Sequence, residues 1–333
     1  MGTVEGRSGR GPAVSTLTHQ TPVSRWSAAL RTGRPLAWSG PLPSGWRPAE
    51  VGPLVDEAGA DGVRDWLPPG GSEGNGRAVV TVLVPTHRRL PWGLSVLRDQ
   101  SWPTEVLVVS NGKGPRRVPG ARVWRTPWLG HAATRSTALS QVDTPFVLML
   151  SVDAVPRGRG FVEALVAGLQ ASGADAAVAR QVPWPHADAT TRQRIRRWTP
   201  TSGGPMPHAD HVATLYRTAE LKSWPRPEVA IAEDLAWTRG RRVVCVAEAP
   251  VLHSHERRAE DLFRRMKAEH AVRAALGADL PVPGLRAALR HTPGTLLSAH
   301  PREVLNRLAE LAGMAVGARS RHVSAVPRDP SLE

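Results

Sequence analysis

The sequence predicts an α/β fold built on a mostly parallel central sheet, and three observations carry that prediction. Short, continuous apolar runs, "VVTVLVPT" (79–86), "EVLVVSNG" (105–112) and "FVLMLSVDA" (146–154), read as strands covered on both faces. Helical patterns separate them. Each run also stops in a polar cluster: "PTHRR", "SNGKG" or "SVDAVP". Ligands of such sheets bind outside the carboxyl ends of the strands, so these clusters are expected on a functional rim.

Taken in order, residues 1–76 are rich in Gly, Pro, Ser and Arg and run into the breaker cluster "LPPGGSEGNGR". They predict a flexible N-terminal segment, with room for one short helix in "PAEVGPLVDEAGADGVRDWL". The strand at 79–86 opens the ordered chain. "WGLSVLRDQ" (92–100) has helical spacing, 105–112 is the second strand, and "ARVWRT" (121–126) is a weaker one. "HAATRSTALSQV" (131–142) is a helix and 146–154 a strand. "GFVEALVAGLQASG" (160–173) is a helix that stops at a glycine, followed by the strand "DAAVARQV" (175–182). Beyond it, "PWPHADATTRQRIRRWTPTSGGPMPHADH" reads as loop-rich, with arginines at 192, 194, 196 and 197. The strand "RRVVCVAEAPVL" and the helix "AEDLFRRMKAEHAVRAALG" follow. The tail, 276–333, is Pro-broken and then helical in "REVLNRLAELAGMAVGARSRH".

The chain has 333 residues, 41% of them hydrophobic, which supports a substantial core. Its 43 Lys and Arg against 29 Asp and Glu give a net charge of +14, which favours anionic partners. Abundant Arg, Ala, Gly and Pro also reflect a GC-rich genome, which halves the weight of that charge. No nucleic-acid-binding motif accompanies it, so nucleic acid is not an expected partner. A single cysteine, Cys245, excludes an internal disulfide. No apolar run approaches the ~20 residues that span a bilayer. "MGTVEGRSGRGPAVS" lacks the apolar core of a signal peptide. A cytoplasmic protein is expected, with any membrane attachment peripheral. Val304, Leu305, Leu308, Leu311 and Ala312 recur at helical spacing among Arg302, Arg307, Arg319 and Arg321. That stripe either packs on the catalytic domain or lies against anionic lipid.

Four groups of residues could carry chemistry. Asp153 ends an apolar strand, as either a turn cap or a ligand for a divalent cation, which prefers carboxylate oxygen. Glu233 and Asp234 precede an apolar-periodic run, as an N-terminal cap or as a general base. His253 and His255 share one face of an extended segment, as a structural pair or as metal ligands, since imidazole beside a carboxylate suits a metal such as manganese. Arg257, Arg258, Arg264 and Arg265 form either a solvated helix face or a diphosphate clamp. No glycine-rich phosphate loop occurs: "NGKGPRR" lacks Walker spacing, and "HADH" (208–211) has no evident third metal ligand.

Seven segments in order resemble a family 2 glycosyltransferase of the GT-A (Rossmann-like) fold, over roughly residues 78–275. The resemblance is strongest to the rhamnosyltransferase-like branch. "VVTVLVPTHRR" is similar to the first strand and nucleotide loop V-x-x-P-T-Y-N-R, and "EVLVVSNG" to the second strand ending V-D-N-G. "GHAATRSTAL" matches G-x-A-x-A-R-N-x-G in part. "LSVDAVP" resembles L-T-Q-D-A-x-P, the branch's version of D-x-D, and "VARQVPWPHADA" resembles G-R-Q-x-P-x-x-D-A. "IAEDLAW" matches the catalytic E-D motif, and "VLHSHERRAEDLFRR" resembles V-x-H-S-H running into F-x-R-R. Ser110, Ser136 and Val152 depart from the family's usual Asp, Asn and Gln.

The resemblance implies a GT-A domain over 77–275 and an inverting transfer of a sugar, rhamnose by branch similarity. The donor is a nucleotide-sugar and the acceptor a hydroxyl of a cell-surface glycan or lipid-linked molecule. Asp153 and His253, with His255 as neighbour or alternative, would hold Mn2+ or Mg2+. Asp234, next to Glu233, would be the base. Pro85, Thr86 and Arg88 of the first loop, and Ser110 and Asn111 of the second strand, would bind the nucleotide-sugar. Arg135, Arg180, Gln181 and Arg265 would join them. The alternative is a degenerate, non-catalytic GT-A domain that binds nucleotide or glycan, motivated by Ser110, Ser136 and the missing second acid.

Overall fold

The structure, a computed structural model, describes residues 78–225, 229, 231–255, 257–276, 289 and 301–320. The expected flexible segment 1–76 lies outside the described residues, as do most of the Pro-broken start of the tail and residues 321–333.

The chain begins with β1 (Val80–Thr86), α1 (Leu94–Leu97), β2 (Thr104–Asn111) and β3 (Arg122–Thr126). It continues through α2 (His131–Ala138), β4 (Phe146–Leu150), β5 (Val155–Pro156), α3 (Phe161–Ser172) and β6 (Ala176–Val182). Then come α4 (Ala189–Trp198), β7 (Gly204–Met206), β8 (Ala213–Arg217), α5 (Thr218–Ser223) and α6 (Glu233–Thr238). β9 (Val243–Leu252), α7 (Ala259–Leu276) and α8 (Pro301–Arg319) complete the described strands and α-helices.

The strands form one sheet in the order β3-β2-β1-β4-β8-β6-β9-β5, with β7 on β9. β3, β2, β1 and β4 are parallel, as the apolar runs predict. The second half is mixed: β8 returns antiparallel to both β4 and β6, while β6 and β9 run parallel. The reversal is made by β8, a strand that follows a loop rather than a crossover helix, so no βαβ pattern announces it. Alternation along β1 feeds two cores. Val80, Val82 and Val84 pack with Phe161, Leu165 and Leu169 of α3. Leu83 packs with Leu107, Tyr216 and Trp237 on the opposite face.

Three local differences from the sequence pattern have physical causes. α1 is a single turn, because the Gln100 side chain donates to Val96 O at 2.8 Å and takes over the helix end. β4 stops at Leu150, which leaves Asp153 on a tight turn closed by Ala154 N–H to Ser151 O. The stretch read as loop-rich contains α4, started by Asp188, whose carboxylate accepts Thr191 N–H at 2.6 Å. Its run of arginines hides the apolar period, and Ile195 is the one buried hydrophobic among its described side chains.

The tail helix α8 lies close along α7. A Cβ on Gly313 would sit 2.4 Å from Phe263 O, and one on Gly317 2.3 Å from Lys267 O, so only glycine permits this approach. Its buried face carries Asn306, Arg307, Glu310 and Met314. Leu305, Leu308 and Val316 are exposed instead. No helix among the described residues is long and apolar enough to cross a membrane.

Candidate functional site

A cleft of about 650 Å³ opens at the carboxyl ends of β1, β4, β6 and β9. At its centre Asp153, on the turn after β4, meets His253 and His255, just beyond β9. Asp153 Oδ1 is 3.6 Å from His253 Nε2, Asp153 Oδ2 is 3.2 Å from His255 Nδ1, and the two Nε2 atoms are 3.1 Å apart. One ligand atom from each residue lies within 4.8 Å of the others.

The proton positions around His253 follow from its neighbours. Asp210 Oδ2 accepts from Gln181 Nε2 at 2.7 Å, which turns Gln181 Oε1 toward His253 Nδ1 at 3.2 Å. An amide oxygen only accepts, so Nδ1 carries the proton and Nε2 presents its lone pair to the cluster. Burial holds both imidazoles below their ordinary pKa, His255 well below. A neutral His255 has one N–H and cannot satisfy both His253 Nε2 and the Asp153 carboxylate. One contact therefore sets lone pair against lone pair, the arrangement a cation resolves. Two imidazoles and a carboxylate fit a divalent transition metal.

Beside the cluster, α6 begins at Ala232, whose φ of 63° makes it the one non-glycine residue with positive φ among the described residues. Strained backbone of this kind collects at functional sites. It aims the next two side chains differently. Glu233 is buried, 3.2 Å from Arg135 Nη1, and accepts from His211 Nδ1 at 2.9 Å. Burial alone would raise its pKa, but the His211 hydrogen bond and Arg135 hold it well below the carboxylate range. Asp234 borders the cleft and accepts from the backbone N–H of His211 at 3.1 Å and of Leu235 at 2.9 Å. Burial, reinforced by Glu233 and Asp210, raises its pKa, while His211 opposes the rise. Neither acid caps α6 from the N-cap position, which Ala232 occupies.

The other expected residues divide. Pro85, Thr86, Arg88, Asn111, Arg135, Gln181 and Arg265 line the cleft. Thr86 Oγ1 donates to Arg89 O, and the Asn111 amide is occupied by Thr134 Oγ1 and Leu129 N–H, so both brace the loops. Ser110 and Arg180 are absent from the lining. Ser110 is buried against Gly114, where an added Cβ would come within 2.6 Å of its Oγ. Arg180 precedes Gln181 on β6 and donates to Ala247 O at 3.1 Å; alternation turns it to the other face. Of the expected arginine clamp, Arg257 and Arg265 line the cleft, whereas Arg264 pairs with Glu260 and Asp261 on its own helix. Burial, then Arg265 and Arg194, lowers the Arg257 pKa to about 9.

Asp210 and His211 of "HADH", His131, Arg194 and Glu310 also line the cleft, and sequence reasoning gave them no role. The spacing of "HADH" was visible. Its partners, Gln181, Glu233 and Asp234, are 22 to 29 residues away and reach it only through the fold. His131 opens α2 and accepts from Arg135 Nη1 at 3.1 Å; burial, then Arg135, lowers its pKa to about 3, so it stays neutral.

No known family model matches the sequence, and no curated protein matches it. Among solved structures the fold is similar to the mannosyltransferase PcManGT from Pyrobaculum calidifontis in complex with GDP-Man and Mn2+. The TM-score is 0.53 at 16% identity, over 78% of this chain and 93% of that one. Residues 1–349 of S. aureus TarS, in complex with UDP-GlcNAc, match at a TM-score of 0.40 and 19% identity, over 71% of this chain and 81% of that one. At such identities the likeness concerns architecture: the chain has the mixed α/β fold of the GT-A glycosyltransferases.

Proposed function

We propose that this protein is an inverting, metal-dependent glycosyltransferase. It moves a sugar from a nucleotide-sugar donor to a hydroxyl of a cell-surface glycan or lipid-linked acceptor. The observation that carries the reading is the shared cleft of the Asp153–His253–His255 cluster and Asp234. Asp153, His253 and His255 would hold the cation, and their mixed nitrogen and oxygen set favours Mn2+ over Mg2+. Once bound, it would neutralise charge on the departing nucleoside diphosphate.

The chain's own groups supply the rest. Asp234 takes the proton from the acceptor hydroxyl, and its raised pKa makes it a stronger base than an ordinary aspartate. The freed oxygen attacks the anomeric carbon as the bond to the diphosphate oxygen breaks, and this single displacement inverts the configuration. Glu233, held by Arg135 and His211, keeps its charge and orients that wall rather than moving a proton. Pro85, Thr86, Arg88 and Asn111 shape the nucleotide side, and Arg265 faces the diphosphate. Rhamnose as the sugar rests on the "RQVPWPHADA" and "HSH" resemblance alone.

The outer face of α8 supports a peripheral membrane contact. Leu305, Leu308 and Val316 are 58%, 52% and 41% exposed on one stripe, with exposed Arg302 and Arg319 at its two ends. Apolar side chains flanked by arginine fit an anionic bilayer surface, where each basic residue adds about 1 kcal/mol.

A panel of nucleotide-sugars, scored for released nucleoside diphosphate with and without Mn2+, tests the transferase reading. Mn2+-dependent release from at least one donor is expected. Binding of nucleotide without release from any donor would favour the non-catalytic alternative that Ser110 and Ser136 suggest.

A further inference from the structure

The cleft wall away from the strand ends is made by α4, α7 and α8. α8 extends Glu310 and Met314 into it. Glu310 is 2% exposed, an unusual place for an acid. Its Oε2 accepts from Arg307 Nη1, and its Oε1 is 3.7 Å from Arg194 Nη1. Two turns earlier, Glu303 Oε1 accepts from Ala189 N–H at 3.0 Å, in the first turn of the helix that carries Arg194. Between them, Asn306 Nδ2 donates to Arg257 O at 3.4 Å. One helix thus fixes both segments from which Arg194 and Arg257 enter the cleft.

The charges on this wall do not balance. Arg194, Arg257 and Arg265 line it, with Arg307 behind them. Glu269, 2.6 Å from Arg265, and Glu310 are the acids of these helices that pair with them, while Asp153 acts on Arg257 and Asp210 and Asp234 act on Arg265 from across the cleft. Among the described residues, no carboxylate is within ion-pair distance of Arg257. Positive charge withdrawn from water without a partner is costly, so a wall of this composition is suited to a bound anion. Guanidinium forks match phosphoryl oxygens in pairs, which an ammonium group cannot do.

We infer that Arg194 and Arg257, held in place by Glu310 and Asn306 of the C-terminal helix, form a phosphoryl-binding subsite on the helical wall of the cleft. Glu310 is a positioning residue, and the arginines touch the ligand. The transferase reading bears only on the source of the phosphoryl group: the diphosphate of the donor, or a phosphate on a lipid-linked acceptor.

Calorimetric titration of the full chain separates these sources. One arm uses GDP, UDP and dTDP with Mn2+, and the other uses farnesyl phosphate without nucleotide. Arg194→Ala should weaken at least one arm by about tenfold, the effect of losing one charged hydrogen-bonding partner. Arg194→Lys should restore part of that loss, and Glu310→Gln should reproduce part of it. Weakening confined to the nucleotide arm assigns the donor, and weakening confined to farnesyl phosphate assigns the acceptor. Arg194 is on the cleft surface, so its substitution tests the subsite even if Glu310→Gln fails to fold. Wild-type binding in both arms unchanged by Arg194→Ala and by Arg194→Ala with Arg257→Ala would overturn the subsite and leave the transferase reading standing. Loss of farnesyl phosphate binding in a protein that releases no nucleoside diphosphate from any donor would do the reverse. Failure of the wild type to bind any probe overturns the subsite as well.

Discussion

The two walls of the cleft are built by different means. On the strand-end wall, Pro85, Thr86, Asn111, Asp153 and Gln181 occupy the ends of strands or the turns just after them, and short runs of sequence set their positions. On the helical wall, Arg194, Arg265 and Glu310 come from three helices, and pairing between side chains holds them. The first wall is organised along the chain and the second across it. Damage should therefore propagate differently: a lost strand-end ligand removes chemistry outright, while a lost helical contact loosens recognition.

The largest effects are expected on the first wall. Asp153→Ala or His253→Ala should lower turnover by about three orders of magnitude or more, the scale of several kcal/mol of lost charge stabilisation. Steady-state rates of folded variants, checked by circular dichroism, measure this. Asp234→Asn should follow, with a rate lower by roughly two to four orders of magnitude and little change in donor affinity. As the proposed base Asp234 would act deprotonated, and its pKa is raised, so the wild-type rate should climb with pH along a limb above the usual carboxylate range. That limb should vanish in Asp234→Asn, and a pH–rate profile with the limb intact would remove Asp234 as the base.

One variant probes the support behind the cluster. Gln181→Ala takes away the acceptor that keeps the proton on His253 Nδ1, and should lower Mn2+ affinity roughly 10- to 100-fold. On the helical wall, Gly317→Val forces α8 from α7 and should cost about 1–3 kcal/mol of stability, read by urea denaturation, while the strand-end cluster keeps its Mn2+ affinity. The smallest effect on turnover is expected from Leu305→Glu with Leu308→Glu on the outer stripe. Transfer to a water-soluble acceptor should be nearly unchanged, whereas co-sedimentation with anionic vesicles should be lost. Equal vesicle binding by this variant and wild type would exclude the stripe as the contact.

The same contrast explains what the sequence discloses. The parallel half of the sheet was legible because buried strands read as continuous apolar runs, and Asp153 and His253 because each stands where such a run stops, whereas Asp234 stands just before a helical one. α4 was hidden by its arginines, and β8 by the loop before it. Arg180 and Gln181 are adjacent in one motif, yet the alternation of β6 brings only Gln181 to the cleft. Glu310 could not be found at all. Its meaning depends on Arg194, 116 positions away, and on a helix whose Leu305 and Leu308 face outward while its Arg307 and Glu310 are buried.

Asp153, His253 and His255 are proposed to hold a divalent cation in the cleft that Asp234 shares. Electron paramagnetic resonance of Mn2+ titrated into the full chain tests it most directly, with wild type, Asp153→Ala and Asp234→Asn compared. A bound Mn2+ signal is expected in the wild type and in Asp234→Asn, and its loss in Asp153→Ala. Mn2+ bound as tightly by Asp153→Ala as by the wild type would contradict it.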